Sequence, residues 1–290
     1  MTHTIYNTTL TVIIATKGAE LQSIVNNNTG LEYMWSGDPA FWAKKSPVLF
    51  PVVGGLKNNQ YTHNGYTYQL GRHGFAREME FAVTAQQGNA ITFTLADNAE
   101  TLKNYPFHFS FSVTYTLQQN TVQVTYTVQN KDTQAILFSV GGHPAFKVPV
   151  APGTTFTDYY LQFSHAETAG RYPLDAGGQV ETYTTPVLTD ASVLPLTKQL
   201  FYQDALVFKH LQSNSISIKS NATPHGLAVQ FDGFPYMGIW NAKDADFVCI
   251  EPWCGIADSV NTTGRLREKE GINTLPPHQT FERTWSVTVF

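Results

Sequence analysis

Residues 107–117 alternate without a break: Phe107, Phe109, Phe111, Val113, Tyr115 and Leu117 share one parity, while His108, Ser110, Ser112, Thr114 and Thr116 take the other. Side chains of an extended chain point to opposite faces with a period of two, so the pattern fits a strand with one face in a core and one in water. After the polar Gln118-Gln119-Asn120 it resumes, with Val122, Val124, Tyr126 and Val128 opposed by Gln123, Thr125 and Thr127. Two such runs around a short polar turn predict a long antiparallel hairpin. A hairpin with one apolar face needs a second layer to cover it.

The same signal recurs along the chain. Further strands are expected at 8–15, 19–25, 66–70, 81–85, 91–95, 136–141, 159–163, 215–219, 227–231, 236–240, 247–251 and 284–289. Helical patterning is limited to short stretches at 99–104 and 38–43, and residues 151–200, rich in Thr, Pro and Gly, are expected to hold long loops. Many strands joined by short turns and almost no helix predict an all-β fold, a large antiparallel sandwich rather than a βαβ arrangement. No repeat or linker divides the sequence, so residues 1–290 are expected to form a single domain, since all-β domains often run past roughly 200 residues.

Several function classes are disfavoured at once. Eighteen basic against 22 acidic residues give a net charge of −4 with no basic block, so no footprint for nucleic acid is expected. The first residues lack a basic n-region and carry only a short apolar run, which predicts neither a signal peptide nor a membrane span. The two cysteines, Cys249 and Cys254, match neither a disulfide framework nor a zinc ribbon, and the expected setting is reduced and cytoplasmic. The nine histidines show no H-E-x-x-H spacing, and there is no G-x-S-x-G, P-loop or Rossmann fingerprint, so neither a metal nor a cofactor is expected.

Three segments carry candidate chemistry. In Gly141-Gly142-His143-Pro144 the histidine precedes a proline, which restricts its backbone to extended conformations, and two glycines clear the space beside it. The same residues also fit relief of packing with a purely structural histidine. In "DFVCIEPWCG" an apolar run ends in Glu251, again before a proline, with Trp253 beyond it. A buried carboxylate needs a partner or a task, unless the strand end is solvated or Glu251 pairs with an arginine; the adjacent Trp253 favours a site, since aromatic faces orient sugars. The third segment, "GRHGFAREMEF", crowds Arg72, His73, Arg77 and Glu78 together, and on its own reads equally well as a charged loop.

Taken in order, "LFPVVGGLKNNQY", "HGFAR", "GGHPAF", "DALVF" and "FVCIEPWCG" resemble the aldose 1-epimerase (galactose mutarotase) superfamily, and more closely its LacX-like branch, over about residues 12–290. The resemblance implies a twisted β-supersandwich with a sugar cleft that interconverts the α and β anomers of a free aldose without a cofactor. It makes Glu251 the general base, His143 the general acid, and His73 a ligand of a sugar hydroxyl that helps polarise the ring oxygen. Asp204 and Trp253 are expected to bind substrate, with Arg77 at or behind the rim. The implied partner is a small sugar, and the chain a monomer or homodimer. One departure stands out: Gly55 replaces an arginine of that branch, leaving Lys57 as the nearest cation on that side.

Anomer exchange needs one base and one acid, and a carboxylate with a reference pKa near 4.3 beside an imidazole near 6.5 can supply both, the carboxylate favouring the imidazolium. Three rivals remain on sequence alone. They are a hexose 6-phosphate mutarotase, whose dianion site would draw on Arg72, Arg77 and Lys57, a sugar-binding protein without turnover, and a glycosidase using Asp204 and Glu251 as a carboxylate pair.

Overall fold

The predicted hairpin forms. In a computed structural model describing residues 1–290, Phe109–Gln118 pairs antiparallel with Thr121–Asn130, placing Leu117 opposite Val122 and Phe111 opposite Val128. Burial alternates along both strands, as the sequence pattern requires. The turn contracts to Gln119-Asn120, with Gln119 at φ 52°, a left-handed conformation suited to two-residue hairpin loops.

The hairpin lies within a nine-stranded antiparallel sheet. Its order is Thr185–Pro195, Tyr159–Arg171, Ser215–Ser220, Leu227–Gln230, Thr280–Val289, Thr121–Asn130, Phe109–Gln118, Ala90–Ala96 and Ala82–Gln87. The polar parity carries cross-strand hydroxyl pairs, among them Thr94–Ser112 at 2.8 Å and Thr125–Thr284 at 2.8 Å. The apolar parity is covered by a second layer of six strands. Leu206–Lys209, Tyr236–Trp240, Phe247–Cys254, Val140–Gly142 and Val48–Leu49 follow in that order, and Ala145–Lys147 also pairs with Phe247–Cys254.

One cluster of 64 buried residues joins the two layers. Within it Phe50, just after Val48–Leu49, stacks on Phe111 at 4.4 Å, and Phe163 of the large sheet meets Phe208 of the smaller one edge-on at 6.5 Å. A three-stranded meander, Thr2–Tyr6, Leu10–Ala15 and Leu21–Asn26, adds Ile5, Val12 and Ile14 to the same core.

Three expectations change. Residues 38–43 form turns rather than a helix, held by the Asp38 carbonyl and by its carboxylate accepting from the Ala40 N–H, whereas Ala99–Asn104 is helical and capped by Asn98. In the stretch 151–200 the strand expected at 159–163 forms but extends through Tyr159–Arg171, and Thr185–Pro195 joins it in place of a long loop, because an outer hairpin needs few apolar residues to be held by its ladder. Short strands at Thr2–Tyr6, Val48–Leu49, Gln60–His63, Ala145–Lys147, Leu206–Lys209 and Asn273–Leu275 have too few residues to display a period. No helix is long and apolar enough to cross a membrane.

Candidate active site

The strand Phe247–Cys254 runs through the middle of the smaller layer and sorts its side chains strictly. Val248, Ile250 and Cys254 enter the main core, while Phe247, Cys249 and Trp253, of the same parity as Glu251, pack in clusters outside it. Glu251 therefore lies inside the strand, not at its tip as expected. The neighbouring chain pairs with this strand twice, through Val140–Gly142 and Ala145–Lys147, and leaves the ladder between them at His143-Pro144. The Ile250 N–H still reaches the Pro144 carbonyl at 3.4 Å. Pro252, two residues on and so facing the same side, has no N–H to strand in the gap, which is why a proline is tolerated within an interior strand. At this break His143 Nε2 comes to 3.4 Å from Glu251 Oε2.

The double glycine before His143 serves both faces of the layer. A Cβ on Gly142 would lie 2.8 Å from the Tyr126 hydroxyl and 3.2 Å from Trp285 Nε1, on the large sheet below. One on Gly141 would lie 2.6 Å from Trp253 Cδ1, and one on Gly238, across the adjacent strand, 2.4 Å from Trp253 Cζ2. Glycines on both flanking strands thus let the Trp253 indole lie across the sheet as part of the site wall.

A cavity of about 400 Å³ opens over this face, a size suited to a small ligand. The six residues to which the resemblance gives catalytic or binding roles, His73, Arg77, His143, Asp204, Glu251 and Trp253, all line it. His143 is 8% exposed and Glu251 2%. Trp42 stacks on the His143 ring at 4.9 Å and Trp240 meets it edge-on at 5.5 Å. Neither tryptophan was singled out from sequence; Trp42 lies in an aperiodic loop, and only its aromatic setting in "MWSGDPAFW" hints at a wall.

This enclosure changes the expected charge state. Burial lowers the His143 pKa to about 3, opposed by a local backbone interaction and assisted by Arg77. Burial likewise raises Glu251 well above the usual carboxylate range, and the negative charge of Asp204 adds to this. The Trp253 N–H draws the Glu251 pKa partly back without completing a hydrogen bond. An ionised glutamate beside an imidazolium, the expectation from reference values, is therefore disfavoured by desolvation of both charges. Both shifts favour the neutral pair, and Glu251 Oε2 and His143 Nδ1 have no hydrogen-bond partner. Cys249 completes a buried trio with them, its ligand atom and theirs all within 4.8 Å of one another.

His73 is tied twice to Gly54: its N–H donates to the Gly54 carbonyl at 2.9 Å, and its Nδ1 accepts from the Gly54 N–H at 3.1 Å. Accepting at Nδ1 places the proton of the neutral ring on Nε2, and burial, followed by His143, Arg77 and Arg72, holds the ring neutral by lowering its pKa well below the usual value. The ring lies 5.7 Å from that of His143. Asp204, at φ 70°, accepts from the Ala205 N–H at 2.7 Å. Arg77 donates to the Arg72 carbonyl at 3.1 Å, and its Nε has no partner.

The departure at Gly55 is filled in a way the sequence did not suggest. Lys57 turns away, its Nζ donating to the Val260 carbonyl at 3.3 Å, and does not line the cavity. Arg72 occupies that side instead, its Nε 3.9 Å from where a Gly55 Cβ would lie and its guanidinium over Gly178. Lys243 supplies a third cation to the lining.

Comparison with known proteins gives the family and the fold. The model of a family described as aldose 1-epimerase matches residues 1–269. The chromosomal LacX protein of Lactococcus lactis subsp. lactis is 33% identical over 299 residues, covering 100% of this chain and 99% of that protein. A galactose mutarotase related enzyme from Lactobacillus acidophilus superposes with a TM-score of 0.95 at 38% identity, over 100% of this chain and 97% of the other. A galactose mutarotase-like protein from Lactobacillus casei ATCC 334 does so with a TM-score of 0.92 at 32% identity, over the full length of both. The architecture is thus the galactose mutarotase-like β fold.

Proposed function

Because this chain belongs to the aldose 1-epimerase family, we propose that it interconverts the α and β anomers of a free aldose such as galactose or glucose. The observation that carries this reading is the His143–Glu251 pair, 3.4 Å apart and buried at one cavity. The reactive form arises from the neutral pair when its proton passes from Glu251 to His143 across their 3.4 Å contact, leaving Glu251 a carboxylate. Glu251 removes the proton of the C1 hydroxyl while His143 protonates the ring oxygen. The C1–ring oxygen bond breaks to give the open-chain aldehyde, rotation about C1–C2 exposes its other face, and the two groups exchange roles as the ring recloses. The pair ends with the one proton it began with.

The other walls fit binding. His73 offers its Nε2–H to a sugar oxygen, Asp204 accepts from hydroxyls, Arg77 donates to them, and Trp253 presents an aromatic surface. Positioned acid and base groups contribute roughly 10² to 10⁴-fold each, a large share of what a reaction already proceeding in water requires. Polarimetry of freshly dissolved α-D-galactose and α-D-glucose tests the reading. Equilibration should accelerate with the protein and lose that acceleration in Glu251→Gln; a wild-type protein inert towards both sugars would overturn it.

A second reading, a mutarotase for sugar 6-phosphates, is favoured by one observation. Arg72 forms no ion pair, Arg77 reaches only Glu78 at 4.0 Å, and both line the cavity with Lys243. Faster equilibration of hexose 6-phosphates than of the free sugars, with the advantage lost in Arg72→Ala, would select it.

A further inference from the structure

We propose that His143, Cys249 and Glu251 form a site for a thiophilic divalent cation, of the Zn²⁺ or Cd²⁺ type, whose occupancy blocks the reaction. The binding claim stands on the geometry of the three side chains; only the inhibitory effect rests on the acid–base reading above.

Cys249 is two residues before Glu251 on one strand, so thiol and carboxylate share a face, and the break at His143-Pro144 brings the imidazole to them. Their ligand atoms lie within 4.8 Å of one another. Zinc bonds of about 2.0 Å at a tetrahedral angle hold nitrogen and oxygen ligands about 3.3 Å apart, against 3.4 Å observed between Nε2 and Oε2. A sulfur at about 2.3 Å from the same ion needs about 3.5 Å to each neighbour, a separation inside the 4.8 Å that spans the three ligand atoms. Glu251 Oε2 is buried with no partner, so an acceptor is free where the ion would sit. His143 and Glu251 both line the cavity, so its space adjoins the site.

Donor chemistry sets the class. One thiolate, one imidazole and one carboxylate suit zinc-type cations, whereas Mg²⁺ and Ca²⁺ prefer shells built from oxygen. The site lacks the supporting contacts of a resident metal centre: His143 Nδ1 has no acceptor to orient the ring. That marks a reversible inhibitor site. Binding replaces the thiol proton and the proton of the Glu251–His143 pair with one divalent ion, so two protons leave and the buried charge is unchanged.

The test uses the full chain, stripped with chelator and titrated with Zn²⁺, Cd²⁺ and Mg²⁺. Calorimetry should give one Zn²⁺ per chain and none for Mg²⁺, Cd²⁺ should produce an ultraviolet thiolate charge-transfer band, and mutarotation should stop and return with chelator. Cys249→Ala should keep its metal-free rate, lose the band and bind Zn²⁺ at least about tenfold more weakly, while Cys254→Ala should behave as wild type. Cys249→Ser, closer in shape, removes the thiolate should the alanine variant fold poorly. Absence of the band in wild type, or its persistence in either Cys249 variant, overturns the proposal. Band and calorimetry read the site even if the protein turns over no sugar, so this failure and that of the acid–base reading are separate results.

Discussion

The charge state of two residues governs how the site responds to pH. In water a glutamate and a histidine hold a single proton between them only from about pH 4.3 to 6.5. Burial depresses His143 to about 3 and raises Glu251, so the one-proton state extends in both directions. We expect kcat/KM to stay level through neutral pH. It should fall on the acid side as His143 takes up a proton towards pH 3, and on the alkaline side as Glu251 loses its own; a single titration near 6.5 would contradict this. The same shifts bear on stability. A carboxyl whose folded pKa is raised supports the fold below its unfolded pKa and costs stability as pH rises. His143, depressed, costs stability as pH falls below about 6.5, where only the unfolded chain binds the proton. Glu251→Gln should therefore melt higher than wild type at about pH 8, by about 1–2 kcal/mol, with the gain shrinking towards about pH 4, while turnover drops roughly 10²-fold or more. His143 and Glu251 were legible because each precedes a proline in a segment with a family resemblance. Their protonation was not, since Trp42 and Trp240, which desolvate the histidine, are remote from it in the chain.

Among the elements, the alternating strands of the large sheet declared themselves most clearly, while a long outer strand with few buried residues did not. Phe109–Gln118 buries every second residue, whereas Thr185–Pro195 buries only Leu188 and Leu194 and is held mainly by its ladder. The glycines of the smaller layer were legible as glycines, but the ring that needs them was not: Trp253 reaches Gly238 by a strand pairing that no local pattern encodes. Gly238→Ala would set a Cβ 2.4 Å from that ring. It should destabilise the protein by about 1–3 kcal/mol and raise KM by tilting the indole. Gly88→Ala, in open space, should be neutral or slightly stabilising, and chemical denaturation of both variants makes the comparison.

At the scale of the whole molecule, the sandwich follows from the need to cover apolar sheet faces, and that much could be read from alternation. The strand order could not, because Thr280–Val289 inserts between Leu227–Gln230 and Thr121–Asn130 through long-range pairings. One buried ion pair fastens distant segments together. Lys269 Nζ lies 2.9 Å from Asp258 Oδ1, with both side chains buried, and Asp258 accepts from the Lys57 N–H at 2.9 Å and donates its own N–H to the Gly55 carbonyl at 2.9 Å. Asp258→Asn would leave the lysine charge uncompensated, and equilibrium unfolding should report a loss of about 3–5 kcal/mol. The interrupted ladder opposite Pro252 also settles what evolution or a designer can vary. A strand sliding along Phe247–Cys254 finds no donor at Pro252 with which to zip through residues 143–144, so His143 and Glu251 stay indexed to each other by the backbone. The walls contributed by Arg72, Leu174, Gly178 and Lys243 lie outside the strands of that ladder. Those loops can drift, by substitution, insertion or exchange, while the His143–Glu251 pair keeps its alignment.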